Sequence, residues 1–262
     1  MFINISIIPI GMGLNSIAGL SLAIAKTEFK QRNEGSYLGM LWYLLNPLLM
    51  FTLLFLVFGD RLGGSIPHYP LYLLLGIIIF NSFHQATTES TRQIIENDYL
   101  IKSVHFPYIS LICGVVLKTL FSHILEIIVF TGFLVFFQVS AKGIVFYPII
   151  LALFSLFVLG VSSALSAAAV YLIDLGNIWM FVSRLLWFAT PIFYSIENQT
   201  RLLYFNMLNP MYYFITASRD ILIYQKPPHA WIICGMIVFA AVSITAGMLI
   251  FNKLKGKFAE MV

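Results

Sequence analysis

Charged residues are scarce in this sequence of 262 residues. Lys, Arg, Asp and Glu make up 10% of it, against the roughly 25% of an ordinary soluble domain, and 60% of the residues are hydrophobic. With a mean hydropathy of +0.92 and apolar runs of about 20 residues, the chain has the signature of a helical protein that crosses a membrane several times. Runs of that length exclude a transmembrane β-barrel, whose strands are shorter and alternate apolar with polar residues.

Cysteine and the common catalytic motifs are also rare or absent. Cys113 and Cys234 are the only cysteines, and both lie within apolar runs, so no disulfide framework is expected. The sequence contains no Gly-x-x-x-x-Gly-Lys-Ser/Thr loop for ATP, no His-Glu-x-x-His and no Cys/His spacing for a metal. The net charge of +4 is small and lies mostly beside apolar runs, which indicates membrane topology rather than nucleic-acid binding. We expect this chain to bind no cofactor, metal or nucleic acid.

Six apolar segments are long enough to cross ~30 Å of hydrocarbon as helices. Their predicted ranges are 39–58, 69–88, 109–137, 144–172, 176–194 and 231–251. The sequence therefore predicts an all-α membrane protein, with an N-terminal segment at 1–38 and a transmembrane domain at 39–262.

The distribution of Lys and Arg predicts the orientation, because six spans place both termini on one side of the membrane. Eight basic residues fall on the side of the termini: Lys26, Lys30, Arg32, Arg92, Lys102, Lys253, Lys255 and Lys257. Five fall on the other side: Arg61, Lys142, Arg201, Arg219 and Lys226. We expect both termini to be cytoplasmic.

The stretch 7–25 is ambiguous, because it is long enough to imitate a seventh span or a signal peptide. No basic residue precedes it and it contains Pro9 and several glycines, which argues against a signal peptide. An apolar stripe of Ile17, Leu20 and Ile24 is followed by charged residues, a pattern typical of a helix lying in the membrane interface. We favour the interfacial helix and keep the seventh span as the alternative.

Residues 195–230 are too apolar for a solvent loop. Two aromatic-rich stretches are divided there by Asn209 and Pro210. We predict two short helices at about 198–224, with Pro210 opening the second, that form a partly re-entrant hairpin on the outer side.

Ionisable residues inside the predicted spans need a partner or water, because burying a charge in hydrocarbon is costly. Lys118, His123 and Glu126 share one face of the third span, and Arg184 lies in the fifth. One interpretation is a proton relay or a coupling-ion site. The interpretation that we favour is structural, with Glu126 paired to Arg184 and Lys118 extending its amine to the membrane surface.

Aromatic residues are abundant, and they divide into two groups. Tyr69, Tyr72 and Trp231 lie at span ends and are expected to be interfacial anchors. A second group lies on or just before the first and fifth spans and consists of Trp42, Tyr43, Trp179, Trp187, Phe188, Phe193 and Tyr194. Such rings could line a path for a sugar polymer by stacking on its rings, or they could simply pack in the core and against lipid.

Several ordered pieces of the sequence, from about Ala25 to Val262, resemble one family. The pieces are Tyr37-Leu38-Gly39-x-x-Trp42, Asn46-Pro47, Phe58-Gly59, Tyr69-Pro70-Leu71, Asn97-x-x-Leu100-Ile101-Lys102-x-x-x-Phe106-Pro107, Thr190-Pro191-Ile192-x-Tyr194 and Leu208-Asn209-Pro210-Met211. Each is short, but their order and spacing resemble the ABC type-2 transporter permeases that export O-antigen polysaccharide or teichoic acid.

The resemblance implies a homodimer that binds two separate ATP-hydrolysing subunits, which would hold the ATP and magnesium. It also implies a cytoplasmic coupling helix at about 96–105, with contact residues Glu96, Asn97, Asp98, Tyr99, Leu100 and Lys102. By the same resemblance the aromatic group on the first and fifth spans lines the channel. The two outer helices would gate its exit through Tyr204, Phe205, Tyr212 and Tyr213.

The function expected from this resemblance is ATP-driven movement of an undecaprenyl-linked polysaccharide across the bacterial inner membrane. A type-2 exporter of small drugs or lipids would share the fold and the partner. A third possibility is an intramembrane enzyme or ion-coupled transporter centred on His123 and Glu126.

Overall fold

The computed structural model describes residues 14–33, 41–104, 106–196 and 199–261. These residues form helices joined by short turns, and the described ranges contain no strand. The predicted all-α class is therefore confirmed. The side chain of Tyr43, the predicted span residues 39–40 and the predicted coupling-helix residue His105 lie outside the described parts.

The helices follow one another along the chain with short connections. They are α1 (Leu14–Asn33), α2 (Leu41–Leu62), α3 (Tyr69–Glu96), α4 (Asp98–Ser103), α5 (Ile109–Phe136), α6 (Tyr147–Ala169), α7 (Leu175–Ala189), α8 (Thr200–Met207), α9 (Pro210–Leu222), α10 (Ala230–Leu254) and α11 (Phe258–Met261). Short 3₁₀ turns at Ala141–Val145 and Lys255–Lys257 precede α6 and follow α10.

Five of these helices are long and apolar enough to cross a membrane: α2, α3, α5, α6 and α10. The sixth predicted span corresponds in part to α7, which is apolar but has only 15 residues. A helix of that length spans about 22 Å, short of the ~30 Å of hydrocarbon. The six-span count therefore stays a prediction.

The bundle has two ends that the connections define. One end carries α4 between α3 and α5, together with α11, and is called the α4 end below. The opposite end carries α8 and α9 and is called the hairpin end. Since α3 runs from the hairpin end to the α4 end and is almost wholly buried in its apolar half, it is the central helix of the bundle.

The predicted end of the second span at residue 88 is wrong, because α3 continues to Glu96. Its polar residues stay helical because their side chains have partners inside the bundle. The Thr87 and Ser90 hydroxyls donate to the carbonyls of Phe83 and Ala86, at 2.8 and 2.7 Å. The polar stretch after residue 88 therefore continues the core helix and is no loop.

The fifth predicted span also ends earlier than expected, at Ala189 rather than at residue 194. Thr190 has the extended conformation (φ −84°, ψ 137°) that a residue before proline prefers, and Pro191 follows it. The rest of the predicted span is consequently an irregular segment, 190–196.

Helix α1 packs along α5 and is not among the five membrane-spanning candidates. Ser21 and Ala25 are buried, and a Cβ atom added to Gly114 of α5 would lie 2.7 Å from the Ile24 side chain. This close packing fixes α1 on the bundle. Its expected position at the membrane interface stays a prediction.

The closest helix pair is α6 with α10, because glycine lets the two backbones approach. A Cβ atom added to Gly247 would lie 2.1 Å from the carbonyl oxygen of Gly160, and the Ser243 hydroxyl donates to the carbonyl of Phe157 at 2.8 Å. Small residues at such contacts are the usual means of helix association in membranes.

We expect Gly247→Ala to destabilise the bundle, because the added methyl group forces α6 and α10 apart. Overpacking of this kind costs about 1–3 kcal/mol, and each kcal/mol lowers the melting temperature by roughly 2–4 °C. Thermal unfolding of the purified protein in detergent measures the effect. Gly132→Ala is the matched control, since nothing lies within 4 Å of its added Cβ atom; an equal loss in both variants would contradict the packing described.

Candidate functional site

The irregular segment 190–196 is held by side chains that cover its backbone. The Arg219 guanidinium of α9 donates to the carbonyl of Pro191 at 2.7 Å and to that of Ile192 at 2.9 Å. The hydroxyl of Tyr69 donates to the carbonyl of Phe193 at 3.0 Å, and that of Tyr72 to the carbonyl of Tyr194 at 2.8 Å. Four consecutive carbonyls are thus satisfied by three side chains, which is what non-helical backbone within a membrane protein requires.

Arg219 is also bound to α3. Its Nη2 donates to the carbonyl of Tyr72 at 2.9 Å, and its Cζ lies 3.3 Å from the centre of the Tyr72 ring. Only 3% of Arg219 is exposed, and a Cβ atom added to Gly76 would lie 2.6 Å from its Nη2. The charge is therefore buried among carbonyl dipoles and an aromatic face, and glycine at position 76 makes room for it.

Asn209 completes the connection between the hairpin helices and α7. Its side chain accepts a hydrogen bond from the backbone N–H of Met211 and so caps α9, whose first residue is Pro210. The same side chain donates to the Thr190 hydroxyl at 2.8 Å. Three of the short sequence motifs, at 69–71, 190–194 and 208–211, therefore meet at one place in the structure.

The hairpin region contains two short helices, α8 and α9, divided at Asn209 as the sequence predicts. The predicted gate residues divide between them. Tyr204 and Phe205 of α8 are exposed, whereas Tyr212 and Tyr213 of α9 are buried. The latter two pack on Trp231 of α10, at ring-centre distances of 6.0 and 5.8 Å. Only α8 thus offers free rings, and α9 is an anchored part of the core.

Four of the predicted channel residues form one aromatic cluster at the hairpin end, consisting of Trp187, Phe188, Phe193 and Tyr194. Neighbouring ring centres within it lie 4.8 to 5.5 Å apart. Phe58 of α2 stacks on Phe193 at 5.2 Å and so extends the cluster to the first span. The Phe188 side chain is 58% exposed.

The structure separates the other channel candidates from this cluster. Trp42 is exposed at the start of α2, about 24 Å along the helix from Phe58. Trp179 is half-buried and its indole N–H donates to the Thr87 hydroxyl at 3.0 Å, which attaches α7 to α3. Within one chain, therefore, the six candidates whose side chains the structure describes form no single lining, and the contact of all seven with substrate stays a prediction.

The predicted coupling helix corresponds to α4, which is shorter than the expected 96–105. Glu96 ends α3, and Asn97 (φ −107°, ψ 28°) forms the break while its side chain donates to the carbonyl of Gln93. The side chains of Asp98 and Lys102 are exposed, and Tyr99 is 75% exposed. Leu100 is half-buried and Ile101 is the one residue of α4 classed as buried. The helix therefore presents a polar and aromatic face away from the bundle.

The prediction that Lys118 extends its amine to the membrane surface is wrong. Lys118 lies between two carboxylates, 2.8 Å from Glu28 of α1 and 2.7 Å from Glu89 of α3. The side chain of Gln93 also donates to Glu28. Because the three charges come from three helices, this ionic cluster connects α1 to the centre of the bundle.

The expected pairing of Glu126 with Arg184 is also wrong. Glu126 is buried, 3.5 Å from Nδ1 of His123 and 3.4 Å from the hydroxyl of Ser82, whereas Arg184 is exposed on α7. His123 further lies 2.6 Å from the Tyr147 hydroxyl. The neighbouring cavity, lined in part by Ser82 and His123, has about 10 Å³, which is at the lower limit for one water molecule.

Sequence reasoning missed Arg219, Tyr72, Ser82 and Tyr147 as partners. For Arg219 a signal was present, since a charged residue in the apolar stretch 211–223 needs satisfied donors. Tyr69 and Tyr72 had been expected as interfacial anchors, but both are buried and bind backbone carbonyls. Their partners come from 119 to 124 residues away, and no local pattern indicates them.

We expect Arg219→Met to lower the stability of the bundle strongly, because it leaves the carbonyl of Ile192 without its donor and that of Pro191 with only the Tyr72 hydroxyl, at 3.3 Å. Each unsatisfied buried group costs about 1–3 kcal/mol. Tyr72→Phe keeps the ring under the guanidinium and should cost only about 1 kcal/mol. Arg61→Met, at an exposed arginine of the same end, is the control. In thermal unfolding in detergent, the melting temperature should fall most in Arg219→Met, less in Tyr72→Phe and least in Arg61→Met. Equal melting temperatures for Arg219→Met and Arg61→Met would contradict this assignment.

We expect Lys118→Met to loosen α1 from the bundle, because Glu28 and Glu89 lose the cation that lies between them. Allowing for the part exposure of both carboxylates, the cost is about 1–2 kcal/mol, or a 5–30-fold change in equilibrium. Trypsin should therefore cleave faster at Lys26 and Lys30 of α1. Adding Glu28→Gln should restore protection in part, and unchanged cleavage in Lys118→Met would refute the assignment.

The sequence of this chain is similar to those of known membrane proteins along most of its length. The chain is 26% identical over 248 residues to the O-antigen export system permease protein RfbA of Myxococcus xanthus, covering 93% of this chain and 95% of that protein. It is 27% identical over 253 residues to the protein of the same name from Klebsiella pneumoniae, covering 95% and 97%. The model of the family ABC-2 type transporter matches residues 20–223. Since this match spans more than half of the sequence, the chain belongs to the ABC-2 type transporter family.

Proposed function

We propose that this chain is the membrane-spanning subunit of an ATP-driven exporter of O-antigen-type polysaccharide carried on undecaprenyl. The observation that carries the proposal is similarity over nearly the whole chain to permeases named for O-antigen export. The partly buried aromatic cluster at the hairpin end, in which Phe188 is exposed, supports it, because ring faces stack on sugars without fixing them by charge.

The energy source would be a separate subunit, since the sequence has no loop of its own for ATP. Two such subunits, which would hold ATP and magnesium, would bind a homodimer of this chain. The exposed face of α4, with Asp98, Tyr99 and Lys102, is the proposed contact. A push on α4 would be transmitted into the bundle through α3 and α5, which it joins.

The polymer would pass between two copies of the chain. The apolar face of α2 is largely exposed, as is that of α7, so each has area free for lipid or for a second copy. Placing these faces together would bring two aromatic clusters to one exit, with α8 beside them. The excess of Lys and Arg at the α4 end supports a cytoplasmic position for that end in the bacterial inner membrane.

The experiment that tests this function is ATP hydrolysis by a reconstituted complex. The chain would be purified with an ABC ATPase from the same organism, placed in lipid vesicles and supplied with undecaprenyl-linked polymer or with small lipophilic drugs. Stimulation by the polymer alone supports the proposal. Stimulation by drugs or short-chain lipids alone would identify a small-molecule exporter instead, and turnover that follows an ion gradient without ATP would contradict both.

We expect Tyr99→Ala to reduce polymer-stimulated ATP hydrolysis about tenfold while leaving the amount of folded protein unchanged. The ring is exposed, so its removal affects contact with the partner and not the core. Val145→Ala is the matched control, because Val145 is 77% exposed but lies at the hairpin end. An equal effect of the two substitutions would place the ATPase elsewhere.

A further inference from the structure

Helix α4 cannot fix its own position. It has six residues, fewer than an isolated helix needs to be stable in water, and it is preceded by the break at Asn97. Ile101, 3% exposed, is its one residue classed as buried. The position of α4 therefore depends on what Ile101 packs against.

Ile101 belongs to a small apolar cluster that is separate from the main core. The cluster is formed by one or two residues from each of several helices: Ile94, Ile101, Leu111, Ile112, Ala167, Val170, Phe251 and Phe258. Most of these residues come from helices that also build the main bundle. Phe258 is different, because it comes from α11, the short helix beyond α10.

Phe258 connects α11 to the other helices of this cluster. Its side chain is fully buried, at 0% exposure. Its ring lies 5.6 Å from that of Phe251 on α10 and 5.9 Å from that of Tyr108, which precedes α5. Tyr108 in turn packs on Phe106, at 5.4 Å, in the connection that leaves α4. Helix α11 thus contacts α4, the connection that follows α4, and helix α10.

The segment between α10 and α11 is itself attached to the bundle. The hydroxyl of Tyr171, just after α6, donates to the carbonyl of Leu254 at 3.0 Å. Lys255, Gly256 and Lys257 of the 3₁₀ turn are exposed, so they lead the chain around to α4 without packing of their own. Phe258 is therefore the side chain that returns this segment to the bundle.

We propose that Phe258 is a positioning residue for the ATPase-coupling helix, and that α11 braces α4 against α10. The inference rests on the proposed function of α4 as the ATPase contact. It adds a second route for the movement of α4. Besides the covalent route through α3 and α5, a push on α4 is passed through Ile101 and Phe258 to α10, and then to α6 across the Gly160–Gly247 contact.

The position of α4 can be measured without any transport. Ser103, the exposed last residue of α4, would be replaced by cysteine and spin-labelled in the full-length chain with Cys113 and Cys234 replaced by alanine. In this background the label should be restricted in motion. Phe258→Ala should make it mobile, because loss of the buried ring leaves a cavity in the apolar cluster that holds Ile101. Phe258→Leu, which fills most of that space, should keep it restricted.

Two further variants keep the test decisive. Met261→Ala is the matched control on α11, because Met261 is 52% exposed. In this variant the spin label at position 103 should be as restricted in motion as in the parent chain. Ile101→Ala removes the buried residue that α4 itself contributes to the cluster and should free the label as Phe258→Ala does. If neither Phe258→Ala nor Ile101→Ala changes the mobility of the label, the brace does not exist.

The same variants in the reconstituted complex separate the brace from the proposed function. With Phe258→Ala we expect ATPase binding to persist while polymer exported per ATP hydrolysed falls about tenfold, with recovery in Phe258→Leu. A merely structural role would lower the amount of complex and leave that ratio unchanged, which would overturn the positioning role. If the unsubstituted complex exports no polymer, the proposed function fails, and the label mobility still decides whether Phe258 positions α4.

Discussion

The hairpin end of this protein depends on one constraint, the need to satisfy the backbone of a segment that leaves the helical state inside an apolar bundle. Pro191 prevents α7 from continuing beyond Ala189. The carbonyls of residues 191–194 would be unpaired if Arg219, Tyr69 and Tyr72 did not donate to them. These donors come from α3 and α9, so the same hydrogen bonds fix the hairpin helices, the end of α7 and the start of the central helix relative to one another. The aromatic cluster around Phe193 lies on this support, and its placement follows from it.

The opposite end of the bundle is held by different means. There a cation between two carboxylates attaches α1 to α3 and α5, and a small apolar cluster holds α4 against α10 and α11. Ionic and apolar contacts of this size can be rearranged more cheaply than a buried guanidinium with four hydrogen bonds. Under the proposed function, in which an ATPase acts on α4, movement would begin at the α4 end, and the hairpin end would follow through α3 and the paired helices α6 and α10.

Much of the fold could be predicted from the sequence, and the failures have a common cause. Apolar runs indicated every long helix, Pro210 marked the division of the hairpin, and the order of short motifs indicated the family to which the chain belongs. The sequence could not indicate that α3 continues beyond residue 88, because the partner of a polar residue such as Ser90 is a backbone carbonyl that only the helix itself provides. The expected pairing of Glu126 with Arg184 and the expected surface position of the Lys118 amine were wrong, because helical spacing places residues on a face but does not say which helix faces them. Which aromatic residues contact a substrate stays a prediction.

The central claim is that this chain moves a lipid-linked polysaccharide when an ATPase acts on α4. The most direct measurement uses inside-out vesicles that contain the chain and its ATPase, with radiolabelled undecaprenyl-linked polymer added outside. The account predicts that polymer becomes enclosed and resistant to an added glycosidase only when ATP is present, at a rate that the exposed face of α4 controls. Enclosure of polymer without ATP, or ATP-dependent enclosure that is unchanged when the face of α4 is altered, would contradict it.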